Sequence, residues 1–270
     1  MGDVLAAWRP AAGEPRARRA GSLRVEHIMG TAIGIDMRDE RGISPDALDG
    51  IFDWLRGVDA TFSPFREASE VCRLGRGELR EEECSPRLRH VLALCDDLCR
   101  TSGGYFDARH HRSDGAVDPT GLVKGWSIDE AAAMLEDAGA RNYCINAGGD
   151  VVASGEPAPG RPWRVGVRHP RERDRVAAVL SLRGGAVATS GEYERGRHIV
   201  DPHGHRPPSG LLSLTVTGPS MTYADAYATA AFAMGRDGPA WVASHPGYGA
   251  CAITDAGRIV WTPEAYRLRA

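Results

Sequence analysis

Several signatures of common binding roles are missing from this sequence. No apolar run approaches the length that crosses a bilayer. Basic charge is not in excess: 33 Lys and Arg face 36 Asp and Glu, for a net charge of −3. That balance gives no electrostatic case for nucleic acid or for an anionic membrane surface. The six cysteines, at 72, 84, 95, 99, 144 and 251, form no metal-ligand pattern. Cys95 and Cys99 are four apart on a predicted helix, but no second pair answers them. All six read as reduced thiols, mostly buried, in a cytoplasmic protein. The opening residues MGDVLAAWRPAAGEPRARR do not read as a signal peptide or membrane anchor, because the apolar piece is too short and the arginines follow it. Met1-Gly2 begins a myristoylation pattern that Ala6 breaks, since Ser or Thr is wanted there. No internal repeat and no clear linker is visible.

The chain does have the means to build a core, with 270 residues of which 42% are hydrophobic. Residues 1–21 read as a flexible lead-in and 22–270 as one domain. Residues 23–37 alternate as a strand, interrupted at Met29-Gly30-Thr31. Ser44-Pro45 starts a helix, serine as N-cap and proline in the first turn, with Leu48, Ile51, Phe52, Leu55 and Val58 on one face. TFSPFREASEVCRLGRG then reads as a polar loop with aromatics. Ser85-Pro86 repeats the helix start, and Gly103-Gly104 ends that helix. A third helix is expected over 126–139, then a strand with a glycine break over NYCINAGGDVVASG. Short strands follow from 163: WRVGVRHP, VAAVLSLRG, AVATS, HIVDP and LLSLTVTG. A helix over roughly 223–235 and two closing strands, GACAITD and GRIVWT, complete the pattern. The mixture of αβ units with runs of adjacent strands predicts an α+β fold, mixed or antiparallel sheets packed with helices.

The stretch DPTGLVKGWSID, 118–129, draws attention first. Glycines ahead of a helix let the backbone approach a ligand and leave N–H groups free, which suits an anion such as phosphate and equally suits a plain turn. Met29-Gly30-Thr31 is either a bend around a ligand or an ordinary bulge. Gly104-Tyr105-Phe106-Asp107 can hold a flat ring or cap a core. In AVATSGEYERGRHIVDPHG, 186–204, His198 stands three residues before Asp201. That spacing fits a general base oriented by a carboxylate, and equally an exposed histidine. Asp225 and Thr229, four apart in a predicted helix, share a face one turn apart, and their oxygens suit a hard cation such as Mg²⁺. An Asp-x-x-x-Thr pair in an alanine-rich helix is by itself unremarkable.

Taken in order, these pieces resemble the ApbE family, the FAD:protein FMN transferases. The matching segments are MGT at 29–31, FSPF to SEVCRL at 62–74, YFD at 105–107, DPTGLVKGWSID at 118–129 and NAGGD at 146–150. VATSGEYER at 187–195, HIVDP at 198–202 and ADAYATA at 224–230 continue the series. The resemblance covers roughly residues 25–260 and implies the family's T-fold-like architecture. It also implies a reaction: FMN is taken from FAD, joined to a Ser or Thr hydroxyl of an acceptor protein by a phosphoester bond, and AMP leaves, with Mg²⁺ required. The acceptors are FMN-binding domains with a short Ser/Thr motif. Met29, Phe65, Tyr105, Phe106, Asp107, Thr120, Trp126 and Val200 match FAD-contacting positions, and Lys124 is placed on the pyrophosphate. Asp225 and Thr229 match the metal-binding side chains, with the Val123 carbonyl, at the expected bend before Lys124, completing the metal site. His198 matches the histidine that would activate the acceptor hydroxyl. The same site serves an FAD pyrophosphatase giving FMN and AMP, or a flavin-binding protein without turnover.

The chain also departs from the family pattern. The usual long insert rich in Pro, Leu and Trp is reduced to about ten residues between Asp107 and Asp118. Pro119-Thr120-Gly121-Leu122-Val123 replaces Leu-Gly-Gly-Ile-Ala. DPHGHRP stands where Asp-Pro-x-Thr-Gly-x-Pro is typical. The family's lipoprotein export signal is not read here. A compact cytosolic subgroup is expected.

Overall fold

The structure is a computed structural model that describes residues 22–109, 116–172, 174–191, 199–204 and 206–270. The lead-in expected over 1–21 lies outside the described residues. Met29 and Gly30, at φ 54° and 71°, turn the first apolar stretch into a hairpin of β1 (Ser22–Ile28) and β2 (Thr31–Met37). Two consecutive positive φ values match the twist of the flanking strands, so the interruption is a two-residue turn and not a bulge. The same device recurs at Gly148 and Gly149, which join β3 (Tyr143–Ala147) to β4 (Asp150–Ser154). Chain order continues with β5 (Trp163–Arg168), β6 (Val176–Leu182), β7 (Gly184–Gly191), β8 (Leu211–Gly218), β9 (Gly249–Thr254) and β10 (Ile259–Trp261). Eight strands form one sheet in the order β1-β2-β3-β4-β7-β8-β9-β10, antiparallel at every step. β5 and β6 form a separate two-stranded ribbon.

Capping sets the helix starts. In α1 (Pro45–Phe62) the Ser44 hydroxyl accepts from Ala47 N–H, and in α3 (Pro86–Thr101) Ser85 does the same for Leu88 N–H. Between them, Ser69 caps a short α2 (Glu70–Gly75) inside the stretch expected to be a loop. α4 (Thr120–Asp137) begins six residues before the start expected at 126. α5 (Met221–Met234), α6 (Gly238–Ala243) and α7 (Pro263–Arg267) follow. HIVDP, expected as a strand, is not one over 199–202; only an isolated bridge between Asp201 and Arg206 forms there.

Helix composition decides where each lies. α1 buries one face, Ile51, Phe52, Leu55, Val58 and Phe62. α5 has almost no polar face, with eleven of its 14 residues buried, and α4 buries nine of its 18. A helix like α5 belongs inside a fold. α4 packs on α5, and α5 lies against β4, β7 and β8. Burying side chains such as Phe232 and Leu122 contributes roughly 1.5–3 kcal/mol each. The core thus places one surface of the α4–α5 pair at the ends of β4 and β7, where the site lies.

Candidate active site

The site begins at Gly125. A Cβ there would lie 2.5 Å from the Met221 carbonyl oxygen and 3.0 Å from Asp225 Cβ, so only glycine allows α4 to lie this close to α5. One turn earlier, a Cβ at Gly121 would meet the Phe106 ring at 3.1 Å and Thr229 Cγ2 at 4.0 Å. The stretch expected as a glycine-rich loop is therefore the first two turns of α4, and its glycines are helix-contact points. Val123 is the fourth residue of that helix and buried, not at a bend. At the helix start, Thr120 donates both N–H and Oγ–H to Asp118 Oδ1, at 3.1 and 2.6 Å. Farther along α4, the Asp129 carboxylate caps α5 across the interface. It accepts from Ser220 Oγ (2.6 Å), Met221 N (2.9 Å), Thr222 N (2.9 Å) and Thr222 Oγ1 (2.7 Å).

This packing sets Lys124 among carboxylates. Its ammonium pairs with Asp150, the first residue of β4, and lies 3.2 Å from Asp225 Oδ2. Asp150 Oδ1 accepts the Thr189 N–H at 3.0 Å, which anchors the carboxylate to β7. Asp150 and Asp225 are 5% and 7% exposed. Although Asp225 Oδ2 is near the ammonium, the geometry gives it no hydrogen bond, and the atom is buried. Thr229 stands one turn along α5, with Oγ1 3.5 Å from Ser190 Oγ of β7. The oxygens gathered here are carboxylate and hydroxyl, the set a hard cation such as Mg²⁺ takes, and a buried carboxylate oxygen that takes no hydrogen bond fits such an ion. Among the described residues no three His, Cys, Asp or Glu converge. A cation here would accordingly draw further ligands from backbone, water or substrate.

On the other side of Gly121 the surroundings are aromatic. Phe106 is buried against that glycine, and its N–H donates to Ser102 Oγ at 2.9 Å. Asp107 Oδ1 accepts from Arg109 N–H at 2.8 Å. Tyr105 is half-buried and meets the His203 ring edge-on, centroids 4.6 Å apart. His203 Nε2 lies 3.0 Å from the Gly103 carbonyl oxygen. The segment 199–204, with half-buried Val200, is thereby fastened to the turn after α3. Met29 Sδ lies 3.9 Å from Ser127 Oγ of α4. Two further residues expected to contact FAD make no ring contact or hydrogen bond with the residues just described. Trp126 packs edge-on against Trp54 (5.4 Å) and Phe62 (5.7 Å), buried with its indole N–H unpartnered. Phe65 is 93% exposed after α1. His198 lies outside the described residues.

Sequence reading thus anticipated Phe106, Lys124, Asp225 and Thr229, which the structure gathers, and missed Asp150 and Asp129 as members of the same arrangement. Both had a signal. Asp150 closes NAGGD, directly after a Gly-Gly pair, and Lys124 is the only lysine in the chain, every other residue of the 33 being arginine. Two surface clefts, of about 400 and 370 Å³, include none of Lys124, Asp150 and Asp225, although Asp129 and Ser220 line the smaller one.

Comparison with known proteins gives the family and the fold. The profile of the ApbE family matches residues 29–113 and 108–252. A Rhodobacter capsulatus protein named FAD:protein FMN transferase is 39% identical over 157 residues, covering 55% of this chain and 30% of the relative. A Haemophilus influenzae protein of the same name is 31% identical over 164 residues, covering 56% and 47%. The chain therefore spans less than half the length of these curated relatives. Among solved structures, the flavin transferase ApbE from Vibrio cholerae superposes with a TM-score of 0.81 at 22% identity, over 92% of this chain and 99% of that one. The ApbE protein from Thermotoga maritima gives 0.80 at 23%, over 93% and 100%. At those identities the superpositions establish the fold, and the profile, running through both glycine turns, the α4–α5 pair and the Lys124 carboxylates, establishes the rest: the chain belongs to the ApbE family.

Proposed function

We propose that this protein is an enzyme that moves FMN from FAD to a Ser or Thr hydroxyl of an acceptor protein, with Mg²⁺ as cofactor and AMP as the leaving product. The observation that carries the reading is the buried Asp225 Oδ2, which takes no hydrogen bond and has the Lys124 ammonium 3.2 Å away, one helical turn from Thr229. The names of the curated relatives support flavin transfer. The acceptor oxygen forms a bond to the FMN phosphorus, and the phosphorus–oxygen bond to AMP breaks. A Ser or Thr hydroxyl is a weak nucleophile, and its proton is assigned to His198, on the family pattern. Asp225, Thr229 and the Val123 carbonyl would hold Mg²⁺, which when bound neutralises charge on the phosphate oxygens. Lys124 brings a second positive charge to the diphosphate. Phe106 and Tyr105 supply ring faces or edges beside the helix pair, and Phe65 is free to cover a flat ring. Met29, Asp107, Thr120, Trp126 and Val200 complete the proposed FAD-contacting set.

The acceptor is inferred to be a flavin-carrying domain with an exposed Ser or Thr. The compartment is inferred to be reducing: all six cysteines are unpaired, and burial pushes the Cys95, Cys144 and Cys251 thiols up to about 12. No helix among the described residues is long and apolar enough to cross a membrane. The test is incubation of the purified protein with FAD and Mg²⁺, with and without an acceptor domain, scored for AMP and for a fluorescent flavin band on a denaturing gel. Acceptor-dependent AMP and a flavin band are expected, both lost in His198→Ala while FAD binding persists. AMP without a flavin band would make the protein a pyrophosphatase, and FAD binding without AMP would make it a flavin carrier.

A further inference from the structure

Lys124 holds an unusual position for a residue that is to act on a diphosphate. Its ammonium is committed to Asp150 and reaches Asp225 Oδ2 at 3.2 Å, with its side chain only 20% exposed. Asp150 is itself fixed by the Thr189 N–H. The three groups are unequal. Asp150 is paired on both oxygens, to β7 and to the ammonium, whereas Asp225 Oδ2 has the ammonium nearby but no hydrogen bond. An arginine fork is wider and would not sit as a point charge between two carboxylates, and this is the one place in the chain where lysine replaces arginine.

We propose that the Lys124 ammonium is the resident counter-ion of the cation site, and that Asp150 is the positioning residue that makes it yield. Before substrate binds, Lys124 balances Asp225 and keeps two buried carboxylates from facing each other uncompensated. When a divalent cation takes Asp225, Lys124 stays moored to Asp150, beside the site and still cationic, where a diphosphate can meet it. Without Asp150, Asp225 would be the ammonium's sole carboxylate partner among the described residues, and Lys124 would compete with the cation. Asp150 thus acts through Lys124, and it decides whether ammonium and cation can share the site. No bond is made or broken in this exchange.

The inference rests on the proposed cation site, and the test separates the two. Mn²⁺ affinity without FAD is measured by electron paramagnetic resonance for the parent, Asp225→Ala, Lys124→Met, Asp150→Asn and the double variant, each checked for a parent-like melting curve. Asn keeps the acceptor for Thr189 N–H, and Met keeps the length of the lysine stem. Lys124→Met is expected to tighten Mn²⁺ by about tenfold, the scale of removing one nearby charge. Asp150→Asn is expected to weaken it. A mere change in field would make the two effects additive; competition makes the gain from Lys124→Met about threefold or more larger in the Asp150→Asn background. A second readout uses the single lysine. Protein labelled only in lysine with ¹³C and ¹⁵N gives one side-chain signal from residue 124, which should shift as Mg²⁺ is added to the parent and not to Asp225→Ala. Additive affinities, or a lysine signal that stays put while Asp225-dependent Mn²⁺ binding is intact, overturn this inference and leave the cation site standing. Failure of every variant, Lys124→Met included, to bind Mn²⁺ at millimolar concentration overturns both.

Discussion

The two sides of the site are built by different means. The charged side, Lys124, Asp150, Asp225 and Thr229, is carried on the packed α4–α5 pair and on β4, which β7 anchors, and every position is fixed by packing. Gly125 touches the α5 backbone, Asp129 caps α5, and Thr189 N–H holds Asp150. The aromatic side is carried on turns: Tyr105 after α3, Val200 and His203 on a segment without strand pairing, and Phe65 almost wholly exposed. Preorganised charges are worth most where charge is to be stabilised during reaction, since they need no rearrangement. A flat, apolar ring is recognised by area and tolerates adjustable partners. The contrast predicts that changes on the charged side fall on turnover and changes on the aromatic side fall on substrate affinity.

The largest break in that contrast should come from Asp225→Ala. It removes the charged ligand proposed for the cation, and AMP release should fall by about 10³-fold or more. The fold should persist, because Ala is at home in this helix. AMP release against Mg²⁺ concentration, with a melting curve, checks this; activity at ordinary Mg²⁺ would remove the charged side from the chemistry. Gly125→Ala comes next. Its Cβ meets backbone at 2.5 Å, so the helices must part, at a cost of about 1–3 kcal/mol by denaturant unfolding. Turnover should fall with it, because Lys124 and Asp225 move apart. A parent-like stability would mean that the close approach does not matter.

What could be read from the sequence follows the same division. Helix starts at Ser44-Pro45 and Ser85-Pro86 were legible because the cap is a local hydrogen bond. Asp225 and Thr229 were legible as a pair because a 3.6-residue period is local as well. The start of α4 was not. Glycine and proline argue locally for a loop, and what overrides them is contact of Gly121 and Gly125 with Phe106 and α5, about a hundred residues away in the case of Met221 and Asp225. Asp150 was overlooked for a similar reason. Its partner Lys124 is distant in sequence, and only the β3–β4 hairpin turn brings the carboxylate to the helix pair. HIVDP has the composition of a strand, but its described residues, 199–202, pair only through the Asp201–Arg206 bridge. Local chemistry was readable, and convergence from distant segments required the fold.

Smaller changes sharpen the comparison. Thr229→Ala removes one neutral oxygen from the charged side. The rate at low Mg²⁺ should drop by about tenfold or less and recover at high Mg²⁺, because a water can replace a hydroxyl ligand. Val123→Ala should change the rate little, since the carbonyl remains. A loss that Mg²⁺ does not restore would place the Thr229 hydroxyl on the substrate.

The smallest effect tests the aromatic side alone. His203 stands in a motif where this chain departs from its family, and it holds the 199–204 segment by two contacts, the Tyr105 edge and the Gly103 carbonyl. An edge-to-face pair contributes about 0.5–1.5 kcal/mol, so losing it should raise KM for FAD by about two- to tenfold. If the aromatic side only binds, His203→Ala should leave kcat near the parent value, because the group is not coupled to the charged residues. His203→Phe keeps the ring edge on Tyr105 and loses the carbonyl contact, so its KM should lie between the two. Steady-state kinetics with varied FAD, at saturating Mg²⁺ and acceptor, separate the terms. A fall in kcat as large as that for Thr229→Ala would mean that the 199–204 segment positions the reacting groups as well, through the adjoining His198, and the division between a fixed charged side and an adjustable aromatic side would not hold.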